Sequence, residues 1–77
     1  MDSLLRYILE NLASHPEDIQ IEQEEVEDGK TLYKVTLNDE DKGFIIGKGG
    51  RNIKAIRDVI GALAVKEKRK VYIKILD

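Results

Sequence analysis

Between Lys42 and Ile56 the chain reads KGFIIGKGGRNIKAI, a window holding four of its six glycines, Gly43, Gly47, Gly49 and Gly50, among isoleucines and positive charge. Glycines at three of four consecutive positions cost too much backbone entropy for a helix interior, so Gly47 to Gly50 must interrupt one. A turn of this kind that opens into a helix leaves backbone N–H groups unpaired, at the end where the helix dipole also attracts anions. The amides of Gly49, Gly50 and Arg51 are the donors expected there. Lys48 adds a point charge in the turn, and Arg51 and Lys54 add charge at the start of the following helix. A phosphate chain crossing Gly47 to Gly50 would meet donors and cations with no side chain in its way.

Simpler and rival explanations fit less well. A plain turn in a helical hairpin needs one glycine, commonly at the end of the first helix. A P-loop requires four residues between its first glycine and Gly-Lys, followed by Ser or Thr; here Gly43 and Gly47 are separated by three, and Gly49 follows the lysine. The dinucleotide-binding fingerprint fails because Asn52 stands where its third glycine belongs, and no strand feeds the turn directly.

The elements that position this turn can be read from spacing. Leu4, Leu5, Ile8, Leu9 and Leu12 recur at helical intervals after two residues able to cap, Asp2 and Ser3, and His15-Pro16 ends the segment in a loop. DIQIEQEEV alternates weakly, with Ile19 and Ile21 on one side and Gln20, Glu22 and Glu24 on the other, as in an edge strand whose charges discourage foreign pairing. Asp28-Gly29 is a hairpin-turn dipeptide and TLYKVTL is rich in strand formers, so Ile19 to Leu37 reads as a β-hairpin. Asn38 followed by Asp39, Glu40 and Asp41 supplies a cap and an acidic first turn for a short helix to about Ile46. A further helix runs from near Arg51 to about Val65. VYIKIL then alternates as a last strand. The prediction is an α+β domain in the order α-β-β-α-α-β, one unit over residues 1–77, its three helices packed on one face of a three-stranded sheet.

Charge is segregated along the chain. Residues 1–41 carry three basic side chains against twelve acidic ones, and residues 42–74 carry ten basic against Asp58 and Glu67, although the net charge is only −2. One anionic and one cationic region follow, and the cationic one contains the glycine turn. With no cysteine, no apolar run long enough to span a membrane and no signal-peptide pattern, a soluble, cytoplasmic chain with no membrane association is expected. Catalysis and metal or cofactor binding are not expected: there is no cysteine nucleophile, no Ser/His/Asp set on suitable elements, and no His or carboxylate cluster at ligand spacing.

Ile45 to Ile53, IIGKGGRNI, resembles the signature of KH domains: an apolar pair, Gly-x-x-Gly, then an apolar residue three positions on. With the element order above, the whole chain is similar to the type II KH arrangement and to the small bacterial single-KH proteins of the KhpA family. That resemblance implies single-stranded RNA binding, with a Gly-x-x-Gly loop clamping about four nucleotides of backbone. Gly47 and Gly50 would be the framing glycines, with Lys48 and Gly49 between them. Ile45, Ile46 and Ile53 would be either walls of the base groove or plain core. Lys66, Lys68, Arg69 and Lys70 would correspond to the variable loop, here short, so that a weak grip with little sequence preference is implied. Tyr72 would be either a stacking or a packed aromatic. Roles in post-transcriptional regulation or RNA chaperoning, and pairing with itself or with a larger KH protein of the KhpB/Jag type, are also implied.

The helix after the turn carries an apolar arc of roughly 140° at about 100° per residue, extended by Ala55 and Ala62. Either it is deeply embedded, or Ala55, Val59 and Ala62 face a second subunit. Two other function classes compete with RNA binding. In one, a dimerising interaction or scaffold module uses the acidic hairpin from Glu22 to Asp28 to meet a partner. In the other, a helix-turn-helix reads duplex DNA, though such a motif has no need of three glycines in its turn.

Overall fold

The structure, a computed structural model, describes residues 2–76. Helix α1 spans Asp2–Leu12, strands β1 and β2 span Gln20–Val26 and Lys30–Thr36, helices α2 and α3 span Asp39–Ile46 and Arg51–Lys66, and β3 spans Lys70–Ile75. Short 3₁₀ turns occupy Pro16–Asp18, where a loop was expected, and Lys48–Gly50. The predicted order α-β-β-α-α-β is observed.

Local chemistry accounts for most boundaries. Asp28 and Gly29 both take positive φ, 62° and 72°, the geometry that turns β1 tightly into β2. Asn38 Oδ1 accepts the Glu40 N–H at 2.8 Å and caps α2, while Asn38 Nδ2 donates to Asp18. At the end of α3 the amides of Glu67, Lys68 and Arg69 return to carbonyls of Ala64 and Val65. Lys68 takes φ 58° there, a position usually given to glycine.

The sheet order is β1-β2-β3, with β1 antiparallel and β3 parallel to the central β2. A parallel neighbour requires a crossover, which α2 and α3 supply. Strand β2 buries Thr31, Tyr33 and Val35, and β3 buries Ile73 opposite Tyr33. Tyr33, Val35 and Ile73 form one core with Leu5 and Leu9 of α1, Ile45 of α2, and Ile53, Ile56 and Ile60 of α3. The helices therefore share one face, and the alternate residues of β2 and β3 stand on the other.

Two polar contacts tie distant segments to this frame. Asp41, buried in the first turn of α2, accepts the Ser14 and His15 amides at 2.8 and 2.9 Å and so anchors the segment after α1. Arg57 of α3 donates through Nε and Nη2 to the Ile73 carbonyl, covering part of the outer edge of β3.

Candidate nucleic-acid interface

The Lys48–Gly50 turn joins two helices whose ends it holds in fixed relation. Gly47 has φ 78° and ψ 168°, a conformation essentially reserved for glycine. A Cβ there would lie 2.8 Å from the Asn52 amide nitrogen and 2.9 Å from its Cγ. Gly49 is also left-handed, φ 67°, but faces open space. One framing glycine is thus demanded by packing, and Gly49, two residues on, leaves open space at its own position.

Asn52 has a role that spacing alone did not reveal. Its Nδ2 donates to the Phe44 carbonyl at 2.6 Å, joining the first turn of α3 to the last turn of α2. That carbonyl is one of the orphan acceptors at the end of α2, so a single side chain both satisfies it and clamps the loop. The only local hint was a short amide-bearing residue just past the glycines.

The donors differ from expectation. The Gly50 amide is spent on the Gly47 carbonyl at 3.0 Å and the Arg51 amide on the Lys48 carbonyl. Lys48 and Gly49 instead open the 3₁₀ turn, so their amides have no partner within it, and α3 has no side-chain cap. The free donors therefore sit one residue earlier than predicted, because the turn tightens into 3₁₀ geometry and consumes the later ones. Lys48 and Arg51 form no ion pair among the described residues, whereas Lys54 meets Asp58 at 3.3 Å. The result is a turn in which Lys48 is the one side chain between the glycines, with two amides unpaired inside the turn, two cations outside any ion pair among the described residues and a third, Lys54, paired with Asp58.

The apolar candidates divide. Ile45 is fully buried and Ile53 is nearly so; both are core, and the groove role expected for Ile45 does not fit its position. Ile46 is half-buried, and Phe44, one turn before the glycines, is 59% exposed. In the sequence Phe44 is a lone aromatic beside two isoleucines, where spacing does not separate core from surface.

The basic residues after α3 are not brought to this turn. Sixteen residues of helix separate them from it, about 24 Å at the usual rise. Arg69 is moreover committed inside the fold, donating to Thr31 Oγ1 at 2.7 Å with Glu25 at 3.8 Å. Lys68 and Lys70 are exposed, and Lys70 lies on the helix-free face of β3. Expected as part of one binding surface, Lys68, Arg69 and Lys70 thus form a separate end of the molecule.

Helix α3 is not deeply embedded. It buries Ile53, Ile56, Ile60 and Ala64, while Ala55, Val59 and Ala62 are exposed, Val59 by 50%. The excess apolar arc faces outward.

His15, Glu17 and Asp18 bring ligand-type atoms within 4.8 Å of one another, although their spacing in the chain does not suggest a ligand set. All three are at least partly exposed, and His15 Nε2 lies 3.1 Å from Glu40. That hydrogen bond chiefly raises the imidazole above its ordinary 6.5. No helix among the described residues is long and apolar enough to cross a membrane.

Known proteins are similar in sequence to this chain across nearly their whole length. An RNA-binding protein KhpA of Halalkalibacterium halodurans is 37% identical, with both chains covered in full. One of Listeria monocytogenes is 39% identical, again over all of both chains. One of Bacillus subtilis is 36% identical over 100% of this chain and 94% of its own. The family described as "KhpA/KhpB, KH domain" matches residues 2–75. With three helices, a mixed three-stranded sheet and the glycine turn between α2 and α3 already established, the chain belongs to the KhpA/KhpB family of KH domains.

Proposed function

We propose that this protein binds single-stranded RNA, with the sugar–phosphate backbone lying across Gly47–Gly50. The observation that carries the reading is the glycine-rich 3₁₀ turn whose first two amides, those of Lys48 and Gly49, have no partner within it, with open space at Gly49 and the cations of Lys48 and Arg51 on either side. Neither a scaffold contact nor a plain hairpin calls for that combination. The relatives named as RNA-binding proteins support it.

Phosphate oxygens accept from the two amides and pair with Lys48, Arg51 and, once it leaves Asp58, Lys54. Bases turn toward Ile46 and Phe44, where stacking on the exposed ring needs no particular sequence. Each single-strand phosphate contact contributes a salt slope of about 0.7, hence roughly fivefold in affinity at ~0.1 M salt. Three or four such contacts give a weak, sequence-tolerant site. That strength suits a cytoplasmic RNA chaperone or post-transcriptional regulator that works through repeated contacts.

A second subunit would supply the repetition. The exposed strip Ala55, Val59 and Ala62 recurs at i, i+4 and i+7 on α3, and its small residues let another helix approach closely. The partner is a second copy or a larger KhpB-type protein, a pairing the family description favours. Val59→Arg should shift the sedimentation of the isolated protein, or of its mixture with such a partner, to the monomer. If both sediment as before, the strip is not the contact.

Fluorescence-anisotropy titration of short labelled RNA across a salt series tests the clamp, using the natural protein and Lys48→Asp/Gly49→Asp. Gly49 has room for a side chain, and aspartate tolerates its left-handed φ, so the variant should fold. Salt-sensitive binding that the variant loses supports the clamp. Equal binding by both proteins refutes it.

A further inference from the structure

The sheet face turned away from the helices carries an arrangement that the glycine turn does not use. In register across β2 and β3 stand Lys30 opposite Lys70, Leu32 opposite Tyr72, and Lys34 opposite Lys74. Two like-charge pairs thus flank one apolar pair. Like charges directly opposite one another oppose strand pairing, so this pattern works against the sheet that displays it. Tyr72 is 42% exposed, and Lys70 Nζ lies 5.6 Å from its ring centroid. Lys34 is drawn to Glu24 at 2.8 Å, whereas Lys30, Lys70 and Lys74 have no ion-pair partner among the described residues.

We infer that this open face is a second contact surface for single-stranded RNA, separate from the glycine turn. A base stacks on the Tyr72 ring beside Leu32, and phosphates on either side relieve the repulsion within the two lysine pairs. Lys70 and Lys74, four residues apart on β3, are spaced by about 13 Å along the strand. Glu22 and Glu24 on β1 border the patch and repel a polyanion from that side, which confines the path to β2 and β3. A second copy of the chain is the weaker occupant. Three strands at ~4.8 Å spacing and seven residues of length make a face of roughly 300 Å², well short of the ~800 Å² per partner that a stable protein interface uses.

The inference rests on the reading of the chain as an RNA binder, and the length of the RNA separates the two. The domain measures 35 × 21 × 19 Å. At roughly 3.4 Å per stacked nucleotide, a strand of about 16 spans about 54 Å, enough to pass from the turn to the opposite face, and one of about 6 spans about 20 Å, which is not. The experiment titrates labelled oligouridylates of these two lengths with the natural protein, Lys70→Gln/Lys74→Gln and Tyr72→Ala, over a salt series. For the longer RNA the lysine variant should lose roughly fivefold per missing contact at ~0.1 M salt and show a slope shallower by about 1.4. Its affinity for the shorter RNA should stay unchanged. Its melting temperature should be equal or higher, because like-charge pairs have been removed. Tyr72→Ala should weaken the longer RNA selectively.

If both variants bind the longer RNA as the natural protein does while the shorter one still binds, the sheet face is not a contact, and the clamp reading survives. Sedimentation showing that the natural protein self-associates and the lysine variant does not would make the face a protein interface and overturn the inference. Failure of the natural protein to bind either RNA removes the clamp and this inference together.

Discussion

Replacing Gly47 by alanine should damage this domain far more than replacing Gly49, though both glycines have positive φ and are two residues apart. At Gly47 a side chain is forced into a backbone region that costs about 1–3 kcal/mol. Its Cβ also meets Asn52 at three atoms, 2.8 Å from the amide nitrogen, 2.9 Å from Cγ and 3.0 Å from Cβ. The nitrogen belongs to the first turn of α3 and cannot yield without moving that helix, so overpacking adds about 1–3 kcal/mol. At Gly49 only the left-handed φ must be met, about 1–2 kcal/mol, because nothing lies within 4 Å of a Cβ there. A chain of 77 residues has a total stability of roughly 4–12 kcal/mol. Gly47→Ala should therefore remove a large share, and lower the melting temperature by at least about 8 °C. With no tryptophan in the chain, far-UV circular dichroism in urea is the suitable assay, compared at equal slope. If Gly47→Ala is no more destabilising than Gly49→Ala, the packing argument for the turn is wrong.

Further outcomes follow from the same contacts. Asn52→Ala should cost about 1 kcal/mol through the bond to the Phe44 carbonyl, and Asn52→Asp more, because it sets a carboxylate against that carbonyl; equal stability of all three forms by urea unfolding would remove Asn52 from the clamp. Stability should also peak in a pH window. The Asp41 carboxyl is lowered from 3.8, first by the Ser14 amide and also by that of His15, against its own burial. Its contribution is complete above about pH 4 and is lost as acid protonates it. His15 is raised from 6.5 mainly by its bond to Glu40, so its contribution is complete below that value and fades as pH rises through the raised one. A melting-temperature profile should fall on both sides, with Asp41→Asn flattening the acid limb and His15→Gln the alkaline one; limbs unchanged in these variants would show that other groups control them.

The contrast between Asn38 and Asn52 marks how far sequence reading reaches in this protein. Asn38 is legible because its cap is completed two residues away, at the Glu40 amide. The same holds for the Asp28-Gly29 turn and for the glycine interruption between α2 and α3, each set by neighbours in the chain. Asn52 acts eight residues back, Asp41 twenty-seven residues back on Ser14, and Arg69 thirty-eight residues back on Thr31. None of these partners is visible before the fold brings them together. Periodicity likewise named the apolar residues of α2 and α3 without ranking them. Only packing separates buried Ile45 and Ile53 from Phe44 and Val59 at the surface. The shift of the free amides from Gly49, Gly50 and Arg51 to Lys48 and Gly49 belongs to the same class, since it depends on how tightly the turn closes.

Backbone amide shifts in a nitrogen-15 spectrum, followed while a short single-stranded RNA of about 6 nucleotides is added, would test the clamp most directly. The account predicts that the Lys48 and Gly49 amides move furthest, with Ile46 and Arg51 following, while Gly50, whose amide is already bonded to Gly47, moves less. Largest shifts on β3 or on the outer strip of α3, with Lys48 and Gly49 unmoved, would contradict it.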